Sequence, residues 1–378
     1  MTKIIVLGAG LVGKPIALDL ANELNFEVAV ADVNNKQLAG MGDEGVQTIQ
    51  VDLQNKTELD KLIEPYDFVV NAVPGFMGFE CLKNCIEAGK DIVDIAFYPE
   101  DVNELSELAL QKNVRVICDM GVAPGMSNLL TGYAASKLDS VSTVNIYVGG
   151  LPKIRTQPWE YKAVFSPADV IEEYTRPARL VRNGKIVTVP PLTELEHLEF
   201  ENVGTLEAFN SDGLRSLLYT IKAENMSEKT LRYPGYAEKI KLLSDNGFFN
   251  PEKIEVEGKL VSPLELTSRL LFEQWKLNKN EVDITVMRIE VEGVKAGKSI
   301  RYSYNLHDEF NEQTGIHSMA RTTGYTASTA VRLLSENKYM EKGITVGEMM
   351  GNDESVVKYM LAGLSERGIN YKSKKEYL

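Results

Sequence analysis

Three cysteines in 378 residues, Cys81, Cys85 and Cys118, are too few to frame a chain of this size with disulfides. Cys81 and Cys85 stand four apart, but no further Cys or His lies close by to complete a zinc set. They are expected to be buried free thiols in a reducing cytosol. His197, His307 and His317 are scattered, which leaves no case for a metal site. No run of about 18 apolar residues occurs, so a membrane span is not expected. The N-terminal stretch enters a strand-like run at once. It has no apolar core ending in a small-residue cleavage site, so the expected location is cytoplasmic. A basic excess is also missing. Against 54 acidic residues there are 41 Lys and Arg, a net charge of −13 that argues against a nucleic-acid partner.

What is present is an ordinary globular composition at a length that favours about two domains. The first 125 residues alternate short apolar runs with helical patterns. Strand-like runs are Ile4–Leu7, Val28–Ala31, Thr48–Val51, Phe68–Asn71, Ile92–Asp94 and Val114–Cys118, and helix-like stretches fall between them. Repeated right-handed strand–helix–strand connections build a doubly wound parallel sheet, so the fold class is α/β of the Rossmann kind. From Val141 the grammar changes to polar–apolar alternation in Val141–Val148, Ile284–Val291 and Ser299–Asn305. These predict a second α/β domain with a mixed, largely antiparallel sheet. The tail turns helical over Gly315–Asn337 and Val356–Glu366.

Gly8-Ala9-Gly10-Leu11-Val12-Gly13 fits G-x-G-x-x-G between an apolar strand and a helix, the context that gives the pattern meaning. Gly8 permits the turn, Gly10 lets backbone approach a pyrophosphate, and Gly13 lets helix and strand pack closely. The helix start, at Leu11 and Val12, offers N–H groups and a positive dipole end. Asp32 ends the second strand, where a carboxylate hydrogen-bonds the adenosine ribose. It would repel a 2′-phosphate, and Val33-Asn34-Asn35 supplies no Arg to hold one, so NAD is expected over NADP. Asp52, after the third strand, either faces the adenine or serves a turn. Asn71, Ala72, Val73 and Pro74 end the fourth strand beside the expected nicotinamide path.

Several segments resemble the saccharopine dehydrogenase superfamily, and within it the lysine 6-dehydrogenases. They are Val70–Pro74, Asp119–Gly125, Gly149–Pro152, Tyr161–Pro167, Leu206–Phe209, Thr230–Tyr233 and Ser318–Gly324. The resemblance implies a Rossmann domain over residues 1–125 and 302–378, completed by C-terminal helices that return to it. A substrate-binding and dimerisation domain would span 126–301, in a homodimer or higher homo-oligomer. It also implies hydride exchange between a nicotinamide and a carbon–nitrogen centre of an amino-acid substrate. Saccharopine-forming members carry Asn-Arg-Asp where this chain has Asn210-Ser211-Asp212. That absence of an arginine favours a smaller substrate such as lysine, unless Arg215 compensates.

Asp94 and Asp119 follow the fifth and sixth strands, outside whose carboxyl ends ligands of open α/β sheets bind. They are candidates for binding an ammonium or accepting its proton; short acids at strand ends also cap turns. Lys162 and Tyr161 would contact a carboxylate or the cofactor, or form an exposed loop pair. Arg232 has the fork suited to an α-carboxylate, with Arg215 and Arg179 as weaker claims and a structural ion pair as the competing role. Gly121 should bring backbone close to the nicotinamide half of the pocket, or serve a turn. The expected reaction is NAD-dependent oxidative deamination of lysine at its terminal amine. Imine reduction of the saccharopine or carboxynorspermidine dehydrogenase type is the alternative, and a non-catalytic NAD(H)-sensing protein is the third reading.

Overall fold

In the computed structural model, residues 1–164, 167–278 and 281–378 are described, and they divide into two compact units. The first comprises Met1–Lys137 with Ala320–Asn370; the second comprises Leu138–Met319 with Tyr371–Leu378.

The first unit is a seven-stranded, all-parallel sheet. Its strands are β1 (Thr2–Leu7), β2 (Phe26–Asp32), β3 (Gln47–Gln50), β4 (Phe68–Asn71), β5 (Asp91–Asp94) and β6 (Arg115–Ile117), with the short strand Gly343–Thr345 beyond β6. The order β3-β2-β1-β4-β5-β6 reverses direction between β1 and β4. That reversal leaves a crevice outside the carboxyl ends of those strands, where dinucleotides bind in this class of sheet. The central strands are apolar throughout because both faces are covered; Ile4 to Leu7 and Val69 to Asn71 are fully buried. The returning helix Ser318–Ser335 is held in this unit by charge. Arg332 and Arg367 both grip Asp19 on the first helix, Gly13–Ala21, at 2.7 and 2.8 Å.

The second unit is a mixed nine-stranded sheet. The long strand Ser140–Pro152 runs parallel to Ala223–Arg232 on one side and antiparallel to Asp283–Lys295 on the other. Beside this sheet, Trp275 lies fully buried among Tyr161, Tyr174 and Tyr236, their ring centroids 5.3–6.5 Å away. Trp159 meets the same indole edge-on.

The boundaries differ from the expected ones at three places. Helix Met126–Ser136 stays with the first unit, so the chain crosses over at Lys137 rather than at residue 125. Strand Lys298–Glu309 pairs along its whole length with Asp283–Lys295 and so belongs to the second unit. The tail Tyr371–Tyr377, expected in the Rossmann domain, becomes an edge strand of the second sheet against Lys298–Glu309. Phe165 and Ser166, in one of the resembling segments, lie outside the described residues.

Candidate functional site

The glycine loop joins β1 to the first helix. Gly8 has φ +100°, and a Cβ there would stand 2.6 Å from the carbonyl oxygen of Ala72 at the end of β4. At Gly13 a Cβ would collide with the Gly8 carbonyl, so both glycines are required by the protein's own packing. Gly10 is different. A Cβ there would meet nothing within 4 Å, so internal sterics do not explain the glycine. The position is open to an approaching ligand. Leu11 is exposed, and Val12 caps the following helix without any side-chain hydrogen bond; Lys14 gives its N–H to the Gly10 carbonyl at 3.2 Å and Pro15 has none, so an anion would meet the N–H groups ahead of Lys14.

Asp32 closes the far side of this loop. Its Oδ2 accepts the Ala9 N–H at 2.8 Å and its Oδ1 accepts the Asn34 N–H at 2.7 Å. The carboxylate is thereby fixed in orientation, with lone pairs left for a diol. A nicotinamide dinucleotide fits these residues: Gly8, Gly10 and Gly13 with the helix start for its phosphates, and Asp32 for its ribose. Asp52 does not join them. It is exposed, and its Oδ1 accepts the Gln54 N–H at 3.0 Å, so it serves a turn.

At the end of β4, Asn71 is fully buried and donates from Nδ2 to the Gly78 carbonyl and to Asp94 Oδ1 at 2.8 Å. Asp94 also accepts the Ala96 N–H at 3.1 Å and the Tyr98 hydroxyl at 2.7 Å. Burial pushes its carboxyl up to about 7, against these three donors, with the charge of Asp119 adding to the rise. The expectation that Asp94 faces an ammonium is corrected here: residues 95–98 supply two of its three donors and it is wholly buried, so it positions Asn71 and Tyr98. Asp119 is buried in the left-handed region at φ +54°. Gly121 donates its N–H to Pro124 and accepts that of Met126, winding the segment into a turn. Val73 is buried, and Pro74 starts helix Gly75–Glu87.

The second unit holds the other predicted residues. Lys162 turns away from Tyr161. Its Nζ donates to the carbonyls of Gln274 and Lys276, at 3.3 and 3.1 Å, and lies 3.8 Å from Glu281. It therefore caps the carboxyl end of helix Pro263–Trp275, whose last carbonyls lack intrahelical donors, and its expected contact with substrate or cofactor is withdrawn. Tyr161 is buried under the Arg232 guanidinium, 4.4 Å from ring centroid to carbon. Arg232 spends Nη1 on the Leu231 carbonyl and Nη2 on Glu173 at 2.7 Å, with Tyr174 and Tyr161 nearby. A two-pronged grip by its terminal nitrogens is thus not on offer; only Nε is left buried without a partner. Arg179 forks onto Asp212 at 2.9 and 2.8 Å, a structural pair. Arg215 is buried at φ +52°.

Residues 4–117 match the family described as "Saccharopine dehydrogenase NADP binding domain", and residues 121–369 match "Saccharopine dehydrogenase C-terminal domain". The chain belongs to the saccharopine dehydrogenase family. Among its relatives in this family is the mitochondrial alpha-aminoadipic semialdehyde synthase of Rattus norvegicus, 27% identical over 69% of this chain and 30% of that protein. The chain thus spans under a third of that relative's length. Carboxyaminopropylagmatine dehydrogenase of Synechocystis sp. is 23% identical over 98% of this chain and 96% of its own. A solved structure, apo histidine-tagged saccharopine dehydrogenase (L-Glu forming) from Saccharomyces cerevisiae, superposes with a TM-score of 0.82 at 20% identity over all of both chains. That likeness establishes the family fold.

Within this family fold, sequence reasoning missed Glu228. It is buried on strand Ala223–Arg232, where its Oε2 accepts the Ser211 hydroxyl at 2.7 Å. Burial raises its carboxyl to about 8, with the charges of Glu173 and Asp212 adding to that rise. A signal was available: Glu228, Thr230 and Arg232 alternate along a strand, so they share one face. Among the described residues no group of three or more His, Cys, Asp or Glu is placed to hold a metal, and no helix is long and apolar enough to cross a membrane.

Proposed function

We propose that this protein is an NAD-dependent oxidoreductase that, with water as the oxygen source, deaminates the terminal amine of L-lysine, giving 2-aminoadipate 6-semialdehyde, ammonia and NADH. The observation that carries the first half is the pairing of an unobstructed Gly10 with the fixed carboxylate of Asp32. Membership of a family with an NADP-binding domain supports a nicotinamide cofactor. The choice of NAD rests on charge. At contact distance a 2′-phosphate would face the Asp32 carboxylate, and neighbouring Val33, Asn34 and Asn35 bring no cation. When bound, the cofactor accepts the hydride.

The choice of lysine rests on Ser211. Where saccharopine-forming members resemble this chain they carry an arginine, which would serve a second substrate carboxylate. Here the position holds a hydroxyl committed to Glu228 and Thr230 at 2.7 and 2.8 Å. Arg215 lies four residues on and is buried.

Hydride leaves the ε-carbon only when the nitrogen lone pair is free. With an ordinary ammonium near pKa 10.4, the neutral form at pH 7 costs roughly 4–5 kcal/mol. Desolvation of the amine and a nearby carboxylate lower that cost, and Asp119 is the sequence-predicted acid whose position still allows this role. The rate should therefore rise into alkaline pH. The test is NADH formation from NAD with a panel of amino acids between about pH 7 and pH 10. Lysine-dependent NADH supports the reading, and silence with lysine across that range removes it.

A second reading is favoured by one observation, the match to carboxyaminopropylagmatine dehydrogenase over nearly the whole of both chains. The enzyme would then act on a larger secondary amine, or reduce an imine formed from an amine and a carbonyl partner. Turnover requiring both partners together, with no lysine-dependent NADH, would select it.

A further inference from the structure

We propose that the buried polar cluster on strand Ala223–Arg232 recognises the zwitterionic end of an α-amino acid, Glu228 and Glu173 taking the ammonium and Arg232 the carboxylate. It rests on the reading above only in taking the substrate to be an amino acid, and it can be tested by binding alone.

The cluster has the build of a site rather than of a core. Glu228, Thr230 and Arg232 share one strand face, and the register sets Thr230 opposite Phe209 and Arg232 opposite Glu207. Apolar side chains of equal size would serve stability there as well or better, since burying a charge costs more than its partner returns unless the geometry is favourable. The chain is nevertheless shaped around the Glu228 carboxyl. A Cβ on Gly213 would collide with it, so the residue beside it has no side chain. Ser211 bridges it to Thr230, with its oxygen 2.7 Å from Glu228 and 2.8 Å from the Thr230 hydroxyl.

Two unmet demands remain. The charge of Glu173 raises the Glu228 carboxyl beyond the effect of burial. A ligand ammonium placed with them would relieve that repulsion. Arg232 is 98% buried by its 2% exposure, yet its Nε–H has no acceptor. An orphaned donor on a buried guanidinium is destabilising, and a ligand carboxylate would satisfy it. The two demands are opposite in charge and are linked through Glu173, which is bonded to Arg232. An amino-acid head carries both charges one carbon apart. Glu173 reaches the surface, its side chain 22% exposed where that of Arg232 is 2%.

The test is calorimetric binding, in the presence of NADH, of three ligands: L-lysine, 6-aminohexanoate, which lacks the α-ammonium, and 1,5-diaminopentane, which lacks the carboxylate. The wild type should bind lysine about ten-fold or more tighter than either truncated ligand, the worth of a charge-assisted hydrogen bond. Glu228→Gln keeps the shape and should shrink the gap between lysine and 6-aminohexanoate to under about three-fold. It should leave the gap to 1,5-diaminopentane in place. Arg232→Lys should do the reverse, and unchanged NADH affinity certifies that each variant is folded. A wild type that binds none of the three, or a Glu228→Gln variant that keeps its full gap, overturns the proposal. If that variant keeps its gap while the wild type oxidises lysine, the subsite fails and the proposed function stands. The expected binding pattern without hydride transfer leaves the subsite and removes the function.

Discussion

Replacing Asp94 by asparagine removes a negative charge from a place where ionisation is costly, while keeping the side chain's size. In the folded protein the carboxyl rises from an ordinary 3.8 to about 7, chiefly through burial. Between those values the folded state holds a proton that the unfolded chain has already lost. The sign follows: this group's contribution to stability is complete below about pH 4 and is lost as pH rises through about 7. A gap of about 3 pH corresponds to roughly 4 kcal/mol. Asparagine has no such loss. Its amide also repeats the bonding of the protonated carboxyl, with one oxygen to accept from Asn71 and Ala96 and a donor turned to the Tyr98 hydroxyl oxygen. Asp94→Asn should therefore be close to the wild type in stability near pH 4 and gain on it steadily towards pH 7, by roughly 4 kcal/mol in all. Urea unfolding followed by circular dichroism at a series of pH values measures this as a difference, in which the other buried acids cancel. Two profiles that run parallel across that range would refute the assignment of a buried, proton-holding carboxyl.

Gly13→Ala drives a methyl into the Gly8 carbonyl and should abolish measurable NADH binding by fluorescence titration. Asp32→Ala removes the repulsion toward a 2′-phosphate, so the ratio of NADP to NAD affinity should rise by about ten-fold or more. Asp19→Ala removes the carboxylate shared by Arg332, which keeps Glu23, and Arg367, and should cost about 3 kcal/mol in thermal or urea unfolding. Lys162→Met removes a helix cap and should cost about 1 kcal/mol of stability, with turnover changed less than about three-fold; a hundred-fold fall would restore its expected contact with substrate or cofactor.

Features set by local sterics are legible in the sequence. The glycine loop and Asp32 form one such unit, because a turn, a helix start and a strand end are specified by neighbours in the chain. Parallel and antiparallel regions were legible too, since strands buried on both faces read as continuous apolar runs and half-buried ones alternate. The roles of isolated charged residues were not. Lys162 finds its acceptors 112 and 114 residues away, and Arg232 finds Glu173 at a distance of 59. No local pattern records such partners.

By itself, then, the chain's order of residues determined a dinucleotide fold, its glycine loop and the placing of Asp32 beside that loop, all consequences of backbone geometry over a few tens of residues. Tertiary structure alone decided that Asp94 is a buried scaffold carboxyl, that Lys162 caps a helix, and that the lysine-rich tail Tyr371–Tyr377 closes the second sheet. It also drew Glu228, Glu173 and Arg232 into one cluster. The physical reason is that burial and ion pairing depend on which distant surfaces meet, and a residue's own neighbours in the chain do not carry that information.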